Sequence, residues 1–147
     1  KLQPSEEKKT GYERVAEYGK YFYEFGKGDV ESDIEDYYDI DNEYYESANY
    51  YSDKTVAENN ARADKLMRQL RRFSVEHRED GVNFNDTNAE KYYIYYDYKS
   101  DELGVSFVRR TRDFGVIHFD SKETAQAAID EFHDELIWYF TEYKDSL

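Results

Sequence analysis

The residues best suited to chemistry in this chain are the carboxylates of one acidic run. Residues 29–46, DVESDIEDYYDIDNEYYE, contain no basic residue. The carboxylates of the run are Asp29, Glu31, Asp33, Glu35, Asp36, Asp39, Asp41, Glu43 and Glu46. If the run pairs as a hairpin, a carboxylate recurs about every 3.3 Å of strand axis, close to the ~3.4 Å spacing of phosphates along one DNA strand. The run therefore favours a surface that occupies a basic, nucleic-acid-binding cleft by standing in for DNA.

Tyrosines interrupt the same run. Tyr37, Tyr38, Tyr44 and Tyr45 add flat apolar faces and hydroxyl groups, which are typical of protein interfaces. We therefore predict that these four tyrosines and the carboxylates together bind a partner protein. Two other interpretations stay open at this point: a solvated acidic hairpin that only keeps the protein soluble, and a weak site for divalent cations.

A calcium loop would be the most specific form of the metal interpretation, and the spacing argues against it. Asp39, Asp41 and Glu43 alternate like the first ligands of an EF-hand, but Tyr44 replaces the glycine of the sixth position and Tyr50 replaces the glutamate of the twelfth. The chain has no cysteine, which excludes disulfides and thiolate metal sites. We predict neither a metal nor a cofactor.

The histidines and basic residues give little support for catalysis or for nucleic-acid binding. His77, His118 and His133 lie in no nucleophile-base pair, zinc spacing or phosphate loop, so no enzyme is predicted. The formal net charge of -14 repels nucleic acid and anionic membranes, and disfavours direct binding to either. The basic residues within 62–72 and 109–112 are interpreted as balancing the acidic surface, as contacting an acidic partner or, after these, as holding nucleic acid.

The second half of the chain predicts three strands followed by one helix. Strands are expected at 91–98, 103–110 and 114–119, because aromatic and β-branched residues dominate these runs. Asp120 and Glu123 then have the spacing of a capping box, and apolar residues at helical spacing continue to about residue 140.

The first half repeats this order with more polar residues. Strands are expected at 20–25, 29–34 and 44–51, and a helix from about Thr55 to about Glu76 that Ser52 or Asp53 can cap. The two strand-to-helix junctions, YSDKTVAE and FDSKETAQ, align without a gap.

This alignment predicts an α+β fold made from a duplicated βββα unit, with antiparallel sheets each packed by one helix. Residues 1–80 would form the first unit, residues 81–90 a linker and residues 91–147 the second unit.

The runs YGKYFYEFGKGDVE, KYYIYYDY and DELIWYF together resemble small acidic proteins encoded by phages and mobile elements of Gram-positive bacteria. The resemblance covers nearly the whole chain, but its motifs are structural and carry no functional residue over. Some proteins of this kind are anti-CRISPR or other anti-defence inhibitors. The resemblance therefore implies an inhibitor of a host DNA-targeting nuclease, such as a Cas nuclease.

The expected function is thus inhibition of a basic, nucleic-acid-binding host protein in the bacterial cytoplasm. The sequence contains no apolar signal segment and no stretch with the roughly 18 apolar residues of a membrane span. The alternative is a phage or mobile-element adaptor that makes structural contacts without inhibiting anything. The sequence does not specify the oligomeric state.

Overall fold

The computed structural model describes residues 8–147 and shows an α+β chain of two hairpins and four helices. The elements are β1 (Lys20–Phe25), β2 (Asp29–Ile34), α1 (Asp39–Glu46), α2 (Lys54–Glu76), β3 (Lys91–Asp97), β4 (Glu102–Val108), α3 (Lys122–Glu131) and α4 (His133–Thr141). The fold class predicted from the sequence is confirmed. None of the helices in the described part of the chain is long and apolar enough to cross a membrane.

The first hairpin follows the sequence prediction closely. Strands β1 and β2 pair antiparallel, with Lys20 opposite Ile34 and Phe25 opposite Asp29. The turn between them contains Gly28 at a φ of 87°, a left-handed conformation that glycine adopts without the steric cost of a side chain. The acidic run therefore begins as a strand whose partner is β1.

Residues 39–46 of the acidic run are helical, so the prediction of a third strand at 44–51 is wrong. Helix α1 begins after Tyr38, whose backbone N–H donates to the Asp41 side chain at 3.0 Å, the backward half of a capping box. Two aspartates in the first turn, Asp39 and Asp41, also stabilise the helix because their negative charges lie at the positive end of the helix dipole. Only Tyr51 keeps a strand-like contact, a single antiparallel bridge to Phe22.

The second hairpin repeats this arrangement. Strands β3 and β4 pair antiparallel with Lys91 opposite Val108. The third strand predicted at 114–119 is also reduced to one antiparallel bridge, between Tyr92 and Phe119. Each sheet within residues 8–147 therefore has two strands instead of the predicted three. Tyr51 and Phe119, which align in the sequence, each bridge to the first strand of the preceding hairpin.

The predicted caps and helix bounds are partly confirmed. Asp53 caps α2, because its carboxylate accepts the backbone N–H of Val56 at 2.9 Å. The cap of α3 is Ser121, whose hydroxyl accepts the backbone N–H of Thr124 at 3.1 Å, and not Asp120 as predicted. The single helix predicted to residue 140 is divided into α3 and α4 at Phe132.

The chain forms two compact units, each with its own apolar core. Among the described residues, the first unit consists of residues 8–65 together with Tyr143–Leu147, and the second of Leu66–Glu142; the long helix α2 contributes residues to both. In the first unit, Val56 and Ala57 of α2 pack against one side of the first hairpin. In the second unit, residues of α2, α3 and α4 share one cluster with apolar side chains of β3 and β4.

Candidate partner-binding surface

Three predicted site residues form a row of exposed carboxylates along β2. Asp29, Glu31 and Asp33 alternate in the strand, so their side chains point to the same side of the hairpin at intervals of about 6.8 Å. The residues directly opposite them on β1 are aromatic: Phe25, Tyr23 and Tyr21. This side of the hairpin therefore combines negative charge with aromatic rings.

A second row of exposed carboxylates lies on α1. Asp39, Glu43 and Glu46 follow the i, i+4, i+7 spacing that places side chains on one face of a helix. With a rise of about 1.5 Å per residue, they are separated by about 6 Å and 4.5 Å along the axis. Asp36, between β2 and α1, is exposed as well.

Stacked tyrosines join α1 to the first hairpin. The ring of Tyr44 stacks on Tyr23 with their centroids 4.2 Å apart, and Tyr21 stacks on Tyr50 at the same separation. Because Tyr21 and Tyr23 share a side of the hairpin with the β2 carboxylates, both acidic rows lie on that side. Tyr44, predicted to bind a partner, is half-buried in this packing.

Glu35, another predicted site residue, is completely buried and has internal partners. Arg14 donates to its carboxylate through Nε at 2.7 Å, the Tyr50 hydroxyl donates at 2.8 Å, and the backbone N–H of Tyr37 donates at 3.1 Å. The hydrogen bond from Arg14 is the main cause that lowers the pKa of Glu35, and it outweighs the opposing effect of burial. Glu35 therefore stabilises the fold instead of facing a partner.

Asp41 is buried in the same way, with 2% of its surface exposed. It accepts the Tyr21 hydroxyl at 2.6 Å and the backbone N–H groups of Asp36 and Tyr38 at 3.1 and 3.0 Å. Burial raises the pKa of Asp41, but these hydrogen bonds outweigh burial and the net shift is downward. Burial, and after it the Glu35 carboxylate, raises the pKa of Tyr50 to about 12, so this phenol is neutral and acts as a hydrogen-bond donor.

Exposed aromatic rings lie beside the acidic rows. Tyr37, Tyr38 and Tyr45, all predicted site residues, are 53%, 68% and 42% exposed. Tyr18, which the sequence analysis missed, is 73% exposed. Tyr18 and Tyr37 both have positive φ angles, 68° and 58°, which are sterically unfavourable for bulky side chains and cluster at functional sites. The only sequence signal for Tyr18 is Gly19 beside it, which marks a turn.

Arg14 connects the buried Glu35 to two of these exposed rings. Its guanidinium lies 5.4 Å from the ring centroid of Tyr37 and 5.1 Å from that of Tyr45, within the range of cation–π attraction. The ion pair with Glu35 therefore holds the Arg14 guanidinium in contact with the rings of Tyr37 and Tyr45. Arg14 lies in no motif of the sequence that predicts this role.

Seven carboxylates and three tyrosines thus remain available to a partner, and we call this surface the acidic-tyrosine face. Its members are Asp29, Glu31, Asp33, Asp36, Tyr37, Tyr38, Asp39, Glu43, Tyr45 and Glu46. Within residues 8–147, none of the seven carboxylates forms an ion pair. No three acidic or histidine side chains of that range converge in a way that would hold a metal ion.

Comparison of the chain with protein-family models, curated protein sequences and solved structures finds no match.

Proposed function

We propose that the chain binds a basic, nucleic-acid-binding surface of a partner protein through the acidic-tyrosine face and so keeps nucleic acid away from that surface. The observation that carries the proposal is the pair of exposed carboxylate rows on one side of the first hairpin, none of which forms an ion pair within residues 8–147. Unpaired carboxylates repel one another, and a cationic partner relieves this repulsion.

The spacing of the carboxylates differs from that of the acidic hairpin expected from the sequence. The partner strand of β2 is β1, which contributes a single carboxylate, Glu24. The charges of the β2 row are therefore about 6.8 Å apart, and α1 supplies a second row whose charges are about 4.5 to 6 Å apart along the helix axis. Two rows of charge suit a cleft that has basic residues on both walls.

The tyrosines give the interface a component that does not depend on charge. Aromatic side chains bury large areas, and tyrosine is enriched among the residues that dominate binding energy at protein interfaces. Tyr37, Tyr38 and Tyr45 would be desolvated against the partner, while the carboxylates steer the encounter and fix its orientation.

The biological form of this proposal is an anti-defence inhibitor. The resemblance to small acidic phage and mobile-element proteins supports a host DNA-targeting nuclease, such as a Cas nuclease, as the partner. The bacterial cytoplasm would then be the place of action.

A variant with fewer charges on β2 tests the proposal directly. We would replace Asp29 by Asn, Glu31 by Gln and Asp33 by Asn, which keeps size and polarity but removes three charges. The immobilised wild-type chain should capture nucleic-acid-binding proteins from a Gram-positive lysate, and the triple variant should capture at least tenfold less of them. Captured nucleases would then be assayed for DNA binding with and without the chain.

A matched control keeps the net charge of the triple variant but leaves the acidic-tyrosine face intact. Asp130→Asn, Glu131→Gln and Glu142→Gln remove three exposed carboxylates of the second unit. This control should capture the same proteins as the wild type. Equal loss of capture in both variants would show that total charge, and not this face, governs binding, and the proposal would fail.

A further inference from the structure

The second unit contains a cavity lined by cationic and aromatic side chains. Its volume is about 240 Å³. The polar and aromatic side chains that line it are Arg71, Ser74, Arg78, Phe84, Arg112 and His118. The other lining residues are aliphatic, and no aspartate or glutamate is among them. In a chain with a net charge of -14, this cavity is a local concentration of positive charge.

The guanidinium groups of the cavity are not neutralised within the described residues. Arg71 and Arg78 form no ion pair or hydrogen bond there. Arg112 lies over the ring of Phe84, 4.3 Å from its centroid, which fixes the guanidinium by a cation–π contact without compensating its charge.

His118 adds a second and independent sign of a ligand. The residue is 7% exposed, yet neither ring nitrogen has a partner at normal hydrogen-bond geometry among the described residues, although the Val116 backbone lies close enough to influence the ring. The ring makes edge contacts with Phe84 and Tyr93. A buried polar group without a partner is costly, and native structures usually satisfy such groups with protein, water or a ligand.

The electrostatic surroundings of His118 favour a bound anion. Burial and then Arg112 lower the pKa of His118 and Lys91 acts in the same direction, while Asp113 and the Val116 backbone oppose them. The imidazole is therefore neutral at pH 7, with one N–H to donate. Ser74 donates to the backbone carbonyl of His118 at 2.7 Å and so holds the residue in place against α2.

We propose that this cavity binds the phosphate group of a small molecule, with Arg71, Arg78 and Arg112 as the cationic contacts and His118 as a hydrogen-bond donor. Three guanidinium groups suit the charge of a phosphate monoester, about -1.5 to -2 at neutral pH, better than that of a single carboxylate. Arginine also presents paired N–H groups that match phosphate oxygens. The site lies in the second unit and does not depend on the partner binding proposed for the first.

The imidazole resonances of the full-length chain provide the test. Inorganic phosphate, pyrophosphate, glycerol 3-phosphate and succinate would each be titrated at constant ionic strength, with sodium chloride as the compensating salt. A phosphate-bearing probe should give a saturable shift of the His118 ring signals, while His77 and His133 respond little. The bound anion should also raise the pKa of His118, because a neighbouring negative charge favours the imidazolium form.

Arginine variants assign the response to the cavity. Arg112→Ala and Arg78→Ala should each weaken phosphate binding about tenfold, as expected when one charged hydrogen-bonding partner is removed. Arg110→Ala is the matched control, because Arg110 is exposed near the same segment but does not line the cavity. It should leave the affinity unchanged.

Three outcomes would overturn the proposal. One is the absence of a saturable His118 shift with any of the phosphate-bearing probes. Another is equal weakening by the Arg110 control and the cavity variants, which would indicate general charge screening. The third is tighter binding of succinate, or of a short single-stranded oligonucleotide, than of every small phosphate.

Discussion

Glu31 and Glu35 are four residues apart in one acidic run, yet their surroundings give them different roles. Glu31 is exposed on β2, while Glu35 is buried against Arg14 and Tyr50. A buried carboxylate with an ion pair and several hydrogen bonds holds the fold together, because removing one partner leaves the other charge without compensation. A negative charge contributes to partner binding only where a partner can reach it.

Replacing Glu35 by Gln should therefore destabilise the protein in a pH-dependent manner. At pH 7 we expect a loss of about 3 kcal/mol in the free energy of unfolding, because Arg14 loses its carboxylate partner. The folded-state pKa of Glu35 is below its unfolded value of about 4.3, so its contribution is complete above that value and disappears as pH falls through the folded-state pKa. The difference between wild type and variant should shrink between pH 5 and pH 3 in denaturant titrations.

Glu31→Gln is the control for that experiment. It removes the same charge from an exposed position of the same run, so the free energy of unfolding should change by less than about 0.5 kcal/mol at pH 7. Equal losses for Glu31→Gln and Glu35→Gln would contradict the assignment of Glu35 as an internal anchor.

At the scale of elements, local chemistry was enough to predict the hairpins. Strands β1 and β2 were predicted with the observed bounds, because two glycines mark the turn and aromatic residues occupy β1. Helix α1 was not predicted, because tyrosine is enriched in strands and the tyrosines of this segment therefore favoured a strand. Tertiary contacts stabilise this helix, because Asp41 and Tyr44, three residues apart, both contact tyrosines of β1.

The same tertiary contacts limit how much of the candidate site the sequence can predict. The charge run located the acidic-tyrosine face, including its seven exposed carboxylates. The charge pattern could not distinguish these exposed carboxylates from Glu35 and Asp41. The burial of Glu35 and Asp41 depends on Arg14 and Tyr21, respectively, and each partner lies more than 15 residues away in sequence. The position of Tyr18 likewise depends on its backbone hydrogen bond to Glu35.

Asp120 and Ser121, which precede α3, stabilise different parts of the fold, and substitutions can measure each contribution. Ser121 caps α3, whereas the Asp120 carboxylate accepts the backbone N–H groups of Glu79, Asp80 and Gly81 at 2.8, 3.1 and 3.0 Å. Ser121→Ala should cost about 1 kcal/mol, the usual value for a helix cap. Asp120→Ala should cost about 2 kcal/mol, because three donors that follow α2 lose one charged acceptor.

Urea denaturation of the two variants would measure these losses, and hydrogen exchange would locate them. Asp120→Ala should increase exchange at Glu79, Asp80 and Gly81, while Ser121→Ala should act on the first turn of α3. A larger loss for Ser121→Ala than for Asp120→Ala would show that Asp120 contributes less to stability than its contacts indicate.

At the scale of the whole molecule, the two units present different charged features. The first presents the acidic-tyrosine face, and the second contains the cationic cavity. A net charge of -14 produces a field that attracts basic proteins from a distance, so charge should act mainly on the rate of association.

Binding to the captured partner should therefore depend steeply on salt. Between about 50 and 200 mM salt we expect the association rate constant to fall roughly tenfold and the dissociation rate constant to change little, because salt screens the charges that steer the encounter. In surface plasmon resonance, the variant Asp29→Asn, Glu31→Gln, Asp33→Asn should associate more slowly and with a weaker salt dependence. The control with three neutralised carboxylates in the second unit should keep the wild-type salt dependence.

An affinity that does not change with salt would instead indicate a desolvated aromatic interface, and Tyr37, Tyr38 and Tyr45 would then be expected to carry the binding energy.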